Sequence, residues 1–307
     1  MFERSILVIK LGAMGNVILS LNAFAAIRTF HPRSRISVLT TAPYAAWLAA
    51  APYFDQVLVD TRPRWWNLPH ILRLRRDLIG LGVARVYDLQ TSSRSSRYFR
   101  LFPDSAKPEW SGIASGCSHP DRDPDRNQLH DNDRQAGQIR QAGIIRIPGA
   151  DLSWCTGDIG RFHLPRNLVA LVPGSAPHRP GKRWPAAKFQ ALAKYLRAEG
   201  LTPIVLGSAG ETGLARDIPA AIDLTGQTSF GDLADIARAA RFAVGNDTGP
   251  MHLLATAGCP AVVLFSYESD PRLCAPLGPD VRVLRHPLLA ELSLTEVRDA
   301  LPRSVSA

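Results

Sequence analysis

Short apolar runs alternate with amphipathic stretches along most of this 307-residue chain. In the first half the apolar runs predict buried strands, and the intervening stretches carry the apolar spacing of helices. The predicted strands are Ile6–Lys10, Ile36–Thr40, Gln56–Val59 and Arg85–Leu89, and the predicted helices are Gly15–Phe30, Ala42–Ala50, Leu68–Leu81 and Ser95–Leu101. Strands separated by helices of this length predict a parallel sheet with right-handed crossovers.

The alternation stops between residues 103 and 130, where repeated prolines among Asp, Arg and Ser predict a long loop. A helix is expected at Asp133–Ala142, and the irregular stretch from Ile147 to Arg166 is interpreted as a linker. The second half then repeats the plan, with strands expected at Leu168–Val172, Pro203–Leu206, Ala221–Leu224, Phe242–Gly245, Ala261–Phe265 and Val281–Leu284. We therefore predict an α/β protein of two Rossmann-like, doubly wound domains, residues 1–150 and 151–307, with a ligand cleft at the carboxyl ends of their strands.

Composition narrows the class of protein. Apolar residues make up 46% of the chain, which is enough for large cores, and the charged share of 21% is too low for a disordered chain. No apolar run reaches the roughly 18 residues of a membrane helix, and Ile6–Ile9 is too short for the core of a signal peptide. The four cysteines lack metal-ligand spacing and are expected to be free thiols in a reducing compartment. We expect a cytoplasmic protein that holds no metal and no cofactor.

The net charge of +9 is concentrated at the start of the chain, where residues 1–110 hold 15 Lys and Arg against 7 Asp and Glu. Such an excess predicts an anionic partner, such as an acidic glycolipid or membrane headgroups, and the alternative is solvated surface charge. No zinc finger, RNP-type aromatic motif or basic repeat supports a nucleic-acid partner. The cluster Arg62, Arg64, Trp65, Trp66, Arg73, Arg75 and Arg76 could touch an anionic membrane surface, or it could be an exposed helix face with two core tryptophans.

Glycine-containing loops follow two of the predicted strands. Gly12-Ala13-Met14-Gly15-Asn16 leads from the first strand into a helix, a turn that can present a helix N-terminus to an anion. The loop lacks the three glycines of a dinucleotide-binding site, and the second strand ends without an acidic residue, so we exclude NAD binding there. A P-loop is excluded as well, because Gly181-Lys182 is followed by Arg183.

The second half carries the residues expected to hold a phosphorylated ligand. Ser175 follows a strand, and Lys182 precedes a helix in a loop shaped by glycine and proline, where a lysine can meet a phosphate or simply be solvated. Glu211 stands beyond another strand, where carboxylates often bind ribose hydroxyls or only start a helix. Gly245-Asn246-Asp247-Thr248-Gly249-Pro250-Met251-His252 joins a strand to a helix and could cradle a diphosphate with backbone amides and a hydroxyl. His252 alone fits helix packing as well as ligand binding.

Together these motifs resemble the lipopolysaccharide heptosyltransferases, glycosyltransferase family nine. The resemblance rests on five segments in the right order, Lys10–Asn16, Lys182–Pro185, Gly207–Glu211, Leu224–Ser229 and Asp247–Leu253. It implies a GT-B fold whose C-terminal domain binds the donor and whose N-terminal domain binds the acceptor. It also implies metal-free, inverting transfer of heptose from ADP-heptose to the lipopolysaccharide inner core. The basic cluster around Trp65 and Trp66 would then allow peripheral contact with the inner membrane.

The resemblance also assigns roles to residues by position. Lys182 and Thr248 would hold the diphosphate, with Ser175 beside it, Glu211 would hold the ribose, and Asp247 would meet sugar hydroxyls. Thr228, Gly249 and His252 would line the donor pocket. From their place at and after the end of the fourth predicted strand, Gln90, Arg94 and Arg97 are also expected to line the acceptor side, together with Gly15.

One position departs from the family pattern. The family places an aspartate directly after the Met-Gly of the first loop, where it serves as general base, whereas this chain has Asn16. An amide cannot take the proton of the acceptor hydroxyl, and general base catalysis typically contributes ~10²–10⁴-fold to the rate. Three alternatives remain: Asp88 serves as the base, Asn16 only orients the hydroxyl during slow transfer, or the protein binds donor without transferring it. An epimerase acting on free nucleotide sugars is a weaker alternative, because it needs no basic acceptor domain.

Overall fold

The computed structural model describes residues 4–302. The chain divides into two compact units, Met1–Ala150 and Asp151–Ala307. Each unit is built around one six-stranded sheet flanked by helices. Within the described residues, no helix is both long enough and apolar enough to cross a bilayer.

The first unit contains a parallel sheet in the order β3-β2-β1-β4-β5-β6. Its strands are β1 (Ser5–Ile9), β2 (Arg35–Thr40), β3 (Gln56–Val59), β4 (Arg85–Asp88), β5 (Glu109–Gly112) and β6 (His119–Pro120). Its helices are α1 (Met14–Ile18), α2 (Leu21–Phe30), α3 (Ala42–Ala49), α4 (Leu68–Gly80), α5 (Ser93–Tyr98) and α6 (Asp131–Gln141). This is the strand order of a dinucleotide-binding Rossmann sheet.

Two predictions for the first unit are wrong in detail. The single helix expected at Gly15–Phe30 is divided at Leu19 and Ser20, where the Ser20 hydroxyl donates to the Asn16 carbonyl at 2.7 Å. Serine bonds of this i−4 kind compete with the helical ladder and bend helices. The loop expected at 103–130 contains β5 and β6, which complete the sheet, with Trp110 of β5 fully buried.

The second unit repeats the architecture with the order β12-β11-β10-β7-β8-β9, and all its strand pairs are parallel. Its strands are β7 (Leu168–Val172), β8 (Thr202–Val205), β9 (Ile222–Asp223), β10 (Phe242–Asn246), β11 (Ala261–Phe265) and β12 (Val281–Arg285). Its helices are α7 (Ala186–Ala198), α8 (Thr212–Arg216), α9 (Phe230–Ala239), α10 (Gly249–Thr256), α11 (Pro271–Cys274) and α12 (Leu294–Asp299). The α/β, doubly wound prediction is therefore confirmed for both halves.

The predicted linker is wrong for most of its length, because much of it packs against the second unit. Arg238 of α9 donates to the Leu152 and Cys155 carbonyls, and the Gly157 and Asp158 amides donate to Asp235 and Asp232. The stretch had no apolar periodicity to reveal this, since much of its attachment is made by backbone groups and by the ion pair between Arg161 and Asp232.

Each sheet has its switch point between its two most central strands. The strand order reverses between β1 and β4 in the first unit and between β7 and β10 in the second. All five residues of β7 and of β10 are buried, as expected for central parallel strands covered on both faces. Ligands of such sheets bind at the carboxyl ends of the strands beside the switch point. The loops after these four strands are therefore where chemistry is expected.

Candidate functional site

The loop after β10 joins a buried strand to α10 at the switch point of the second unit. Its Lys182 partner comes from a different loop, and Lys182 Nζ lies 2.5 Å from Asp247 Oδ2. His252 Nε2 is 3.6 Å from the other carboxylate oxygen of Asp247. The structure thus brings together three of the predicted donor residues, each of them largely buried.

The charge of this cluster is set by competition between burial and its neighbours. Burial by itself pushes the pKa of Asp247 upwards, but the hydrogen bond from His252 and the charge of Lys182 outweigh it and hold the pKa at about 2. Asp247 is therefore a carboxylate at any physiological pH, and in this structure the charge of Lys182 is paired with it. A phosphate that binds Lys182 has to share or replace this carboxylate partner.

Two buried polar atoms beside the pair lack a hydrogen-bond partner among the described residues. They are the Thr248 hydroxyl oxygen and Nδ1 of His252. Thr248 is the N-cap residue of α10, no side chain caps that helix, and Pro250 in its first turn has no N–H. Leaving a buried polar atom unpaired costs about 1–3 kcal/mol. Orphaned polar atoms at the positive end of a helix, next to a lysine, mark a place where an anionic ligand fits.

Asn246, for which the sequence analysis predicts no role, joins the end of β10 to both ends of the connection between β7 and α7. Its Oδ1 accepts a hydrogen bond from the backbone amide of Trp184 at 3.0 Å. Its Nδ2 donates to the carbonyls of Pro173 at 2.8 Å and Gly174 at 3.3 Å. The side chain is fully buried. Asparagine suits this position because it supplies both donors and an acceptor.

Ser175 and Arg183 stabilise the loop that carries Lys182. The Ser175 hydroxyl donates to the Arg179 carbonyl at 3.0 Å and accepts from Arg183 Nε at 3.0 Å. A second Arg183 nitrogen donates to the Ser175 carbonyl. Ser175 therefore lies at the predicted place, but its hydroxyl is engaged within the loop.

Glu211 lies on the same edge, against the loop that follows β7. Its Oε2 accepts hydrogen bonds from the Ser208 amide at 2.7 Å and the Ser208 hydroxyl at 2.8 Å. A Cβ on Gly174 would come within 1.7 Å of Glu211 Oε1, so any larger residue there would displace the Glu211 carboxylate from this position. The Gly226 amide donates to Gly207 at 2.8 Å, which places the turn before Thr228 beside the Glu211 loop. The predicted donor residues are thus spread along one edge from β10 to β9.

The first unit gathers its predicted residues at its own switch point. The Leu11 amide donates to Gln90 Oε1 at 2.8 Å, which joins the loops after β1 and β4. Gly12 has φ +122, and a Cβ there would lie 2.9 Å from the Tyr44 ring, so only glycine fits. Gly15 and Asn16 follow in the first turn of α1, where Asn16 is exposed.

The guanidinium groups of Arg94 and Arg97 contact the segment before α4 instead of the loops after β1 and β4. Both lie over the Trp65 ring, each 5.5 Å from its centroid, and Arg94 also donates to the Pro63 carbonyl at 3.1 Å. Their prediction as acceptor residues rested on distance along the chain from β4. The structure uses them to hold the segment before α4.

Asp88, the predicted substitute base, is completely buried. Its Oδ1 accepts from the Gln90 and Thr91 amides, and its Oδ2 is without a hydrogen-bond partner among the described residues. Burial raises the pKa of Asp88 to about 7, against the opposing effects of its hydrogen bonds and of Lys10. Such a carboxyl group can exchange a proton near neutral pH, but in this structure it has no access to a substrate.

The raised pKa makes Asp88 a source of pH-dependent stability. The ordinary pKa is 3.8 and the folded value about 7, so the folded state holds this proton more tightly than the unfolded chain. The contribution is complete below about pH 4 and is lost as the pH rises through about 7. We expect Asp88→Asn to reduce the loss of unfolding free energy between pH 5 and pH 8 by on the order of 2 kcal/mol. Urea denaturation at both pH values measures this, with Asp104→Asn as an exposed control, and parallel pH profiles for Asp88→Asn and the wild type would contradict it.

Fold and site together define the class of protein. Two Rossmann-like units of this kind, with an anion cradle at the carboxyl edge of the second sheet, are the GT-B fold of glycosyltransferases. Comparison with known proteins gives the family, since the model for "Glycosyltransferase family 9 (heptosyltransferase)" matches residues 96–298. The chain belongs to this family.

Individual relatives agree with the family assignment. The chain is 33% identical over 129 residues to lipopolysaccharide heptosyltransferase 2 of Salmonella typhimurium, a match that covers 39% of this chain and only 36% of the relative. Its structure is similar to that of ADP-heptose lps heptosyltransferase II of E. coli, with TM-score 0.78, 21% identity and 98% of each chain covered. It is also similar to a family 9 glycosyl transferase of Veillonella parvula, with TM-score 0.82, 20% identity, 97% of this chain and 96% of the other covered. At these identities the two solved structures establish the fold.

Proposed function

We propose that this protein transfers heptose from ADP-heptose to the inner core of lipopolysaccharide or a related surface glycan. The observation that carries the proposal is the cluster of Lys182, Asp247 and His252, with the orphaned hydroxyl of Thr248, at the start of α10. A lysine, an unpaired hydroxyl and a helix N-terminus are the groups that bind a diphosphate without a metal ion. Family membership and the name of the E. coli protein of similar fold support the choice of ADP-heptose as donor.

In the proposed reaction the chain's own residues neutralise and orient the donor. The two phosphates are held by Lys182, the Thr248 hydroxyl and the Gly249 amide at the start of α10. The ribose is held by Glu211, through the oxygen that faces Gly174. Asp247 accepts hydrogen bonds from sugar hydroxyls, and Thr228 and His252 line the pocket. Ser175 keeps the Lys182 loop in shape.

The chemical step is a metal-independent displacement with inversion at the anomeric carbon. The acceptor oxygen forms a bond to that carbon, the bond between the carbon and the phosphate oxygen breaks, and ADP leaves with the bonding electrons. The charge that develops on ADP is stabilised by Lys182 and the positive end of α10. The hydroxyl proton needs an acceptor, and the exposed Asn16 cannot take it. We therefore propose that transfer proceeds slowly without a base at position 16. Asp88 is the alternative acceptor of the proton, and its buried carboxyl group would have to become accessible for that role.

The proposed acceptor is an anionic glycolipid, and for this reason we also propose peripheral contact with the cytoplasmic face of the inner membrane. Cysteines kept as thiols favour the reducing side of that membrane, and Cys117 and Cys259 are buried thiols. The basic charge of residues 1–110 favours an acceptor that carries phosphates and carboxylates.

The decisive experiment measures ADP release from ADP-heptose with and without a heptose-deficient lipopolysaccharide acceptor, beside a calorimetric titration of ADP. We expect ADP to bind and its release to depend on the acceptor. Tight binding without release would favour a catalytically silent nucleotide-sugar binder, the function that Asn16 suggests. Conversion of the donor sugar to its epimer without acceptor would favour an epimerase. Absence of ADP binding would overturn the donor site.

A further inference from the structure

Three large apolar side chains are exposed close together in the sequence around the start of α4. Trp66 is 75% exposed, Leu68 64% and Leu72 60%. Leu68 and Leu72 are one helical turn apart on the same side of α4, and Trp66 comes two residues before Leu68. We call these three side chains the apolar patch.

The patch is not the face of α4 that packs on the sheet. That face consists of Ile71, Leu74 and Leu78, which are buried in the core of the first unit. Isolated exposed leucines are normal on protein surfaces, but neighbouring large apolar side chains usually mark an interaction site. The patch is therefore available to a partner without disturbing the fold.

Arginines accompany the patch in the same segment of the chain. Arg64 lies over the Trp66 ring, 5.3 Å from its centroid, and Arg73, Arg75 and Arg76 are exposed on α4. Residues 62–77 contain five arginines and a single acidic residue, Asp77, which is shared by Arg73 at 4.0 Å and Arg76 at 3.4 Å. Apolar side chains accompanied by arginines match a surface that is apolar below and anionic above, which is the chemistry of an anionic lipid bilayer.

The segment before α4 is anchored to the core of the first unit by Trp65, whereas the adjacent Trp66 is exposed. Its neighbour Trp65 packs inward, 6.0 Å from the Tyr98 ring and beneath Arg94 and Arg97. Tyr98 in turn donates to Asp60 at 2.5 Å, directly after β3. A core role was one alternative for both Trp65 and Trp66. Trp65 is partly buried, whereas Trp66 is exposed to solvent.

The segment that carries the patch is also bonded to the proposed acceptor side of the first unit. Arg62, four residues before Trp66, donates to the Leu11 carbonyl at 2.7 Å. Leu11 opens the loop that carries Gly15 and Asn16. A bilayer in contact with the patch would therefore lie next to this loop, where a lipid-anchored acceptor has to arrive.

We propose that the apolar patch and its arginines seat the first unit on an anionic lipid bilayer. Trp66, Leu68 and Leu72 enter the boundary between headgroups and acyl chains, while Arg64, Arg73, Arg75 and Arg76 bind lipid phosphates. The inference rests on the proposed function in one respect, since transfer to a glycolipid explains why the enzyme docks there. It identifies the surface that makes the contact, and vesicle binding tests it without any substrate.

The test is partitioning onto vesicles of phosphatidylcholine with one quarter phosphatidylglycerol, compared with pure phosphatidylcholine. Trp66→Ser with Leu72→Ser is expected to weaken binding to the anionic vesicles at least tenfold. Replacing Arg73, Arg75 and Arg76 by Gln is expected to weaken it by about fivefold per arginine and to remove the preference for anionic lipid. Leu288→Ser, at an exposed leucine of the second unit, is the matched control and should bind as the wild type does. Equal binding by all variants, or no binding by the wild type, would overturn the proposal.

Two further measurements separate this inference from its rivals. Sedimentation of the wild type and of the Trp66→Ser, Leu72→Ser variant shows whether the patch joins two copies of the chain. If the double substitution dissociates a dimer, the partner of the patch is a second copy of the chain and the lipid proposal is overturned. Calorimetric titration of ADP should give the same affinity for both proteins. Failure to bind vesicles with ADP binding intact counts against the patch alone, whereas loss of ADP binding by the wild type counts against the donor site alone.

Discussion

Lys182→Met is expected to weaken ADP binding about 100-fold and to reduce transfer by at least as much. The methionine keeps the length of the side chain but removes a charge-assisted hydrogen bond, worth about 1.5–3 kcal/mol. It also leaves the Asp247 carboxylate, now 2.5 Å from the lysine, without its lysine partner beside the phosphates. Calorimetry with ADP measures the first effect and release of ADP from ADP-heptose the second.

The double variant Lys182→Met, Asp247→Asn shows whether lost binding is only lost folding. An unpaired buried carboxylate destabilises a protein by about 3–5 kcal/mol, and the second substitution removes that charge. We expect the double variant to recover stability in urea but not affinity for ADP. Lys194→Met, at an exposed lysine of α7, should leave ADP binding unchanged. Full recovery of ADP affinity in the double variant would show that Lys182 acts on the fold and not on the nucleotide.

Asn16→Asp is expected to raise kcat by roughly 10²-fold, with little change in the KM for donor. The side chain is exposed in the first turn of α1, so a carboxylate of the same shape fits without repacking. It supplies a proton acceptor where the amide has none, and general base catalysis contributes ~10²–10⁴-fold. Initial rates of ADP release with saturating acceptor measure the change. Asn16→Ala, which removes the orienting group but adds no base, is the control and should not rise.

The same assay decides whether Asp88 already serves as the base. If Asn16→Asp leaves the rate unchanged while Asp88→Asn abolishes transfer and stays folded, the proton goes to Asp88. The asparagine retains the oxygen that accepts from Gln90 and Thr91, so a folded variant is expected. With Asp88 as the base, the rate should also fall as the pH drops below about 7, where its carboxyl group takes up a proton.

Most strands of this fold could be predicted from the sequence because central parallel strands are continuous apolar runs. β7 and β11 lie where the apolar runs put them, and each is buried throughout. β5 and β6 were missed because they are four and two residues long and lie among prolines, so their pairing depends on the rest of the sheet. The division between α1 and α2 depends on one serine hydroxyl, which a periodicity cannot show.

The candidate site was predictable where one loop carries its own signal. The segment from Gly245 to His252 has such a signal, and the structure adds Lys182 to it from a loop more than sixty residues away, as the resemblance implied. Arg94 and Arg97 illustrate the opposite case, because an arginine near a sheet edge serves an aromatic ring as readily as a ligand. Asn246 could not be recognised, since its role consists of hydrogen bonds to loops that are distant in the chain.

Asn246 also limits how this site can change during evolution. Surface loops usually tolerate insertions and deletions, and new specificities often arise by changing their length. Here one buried amide is bonded to Pro173 and Gly174 at one end of the connection between β7 and α7 and to Trp184 at its other end. An insertion beside any of these residues would break one of these bonds. Descendants of this protein that take a different sugar would therefore differ by exchange of side chains within loops of constant length, and length variation would be found elsewhere in the chain.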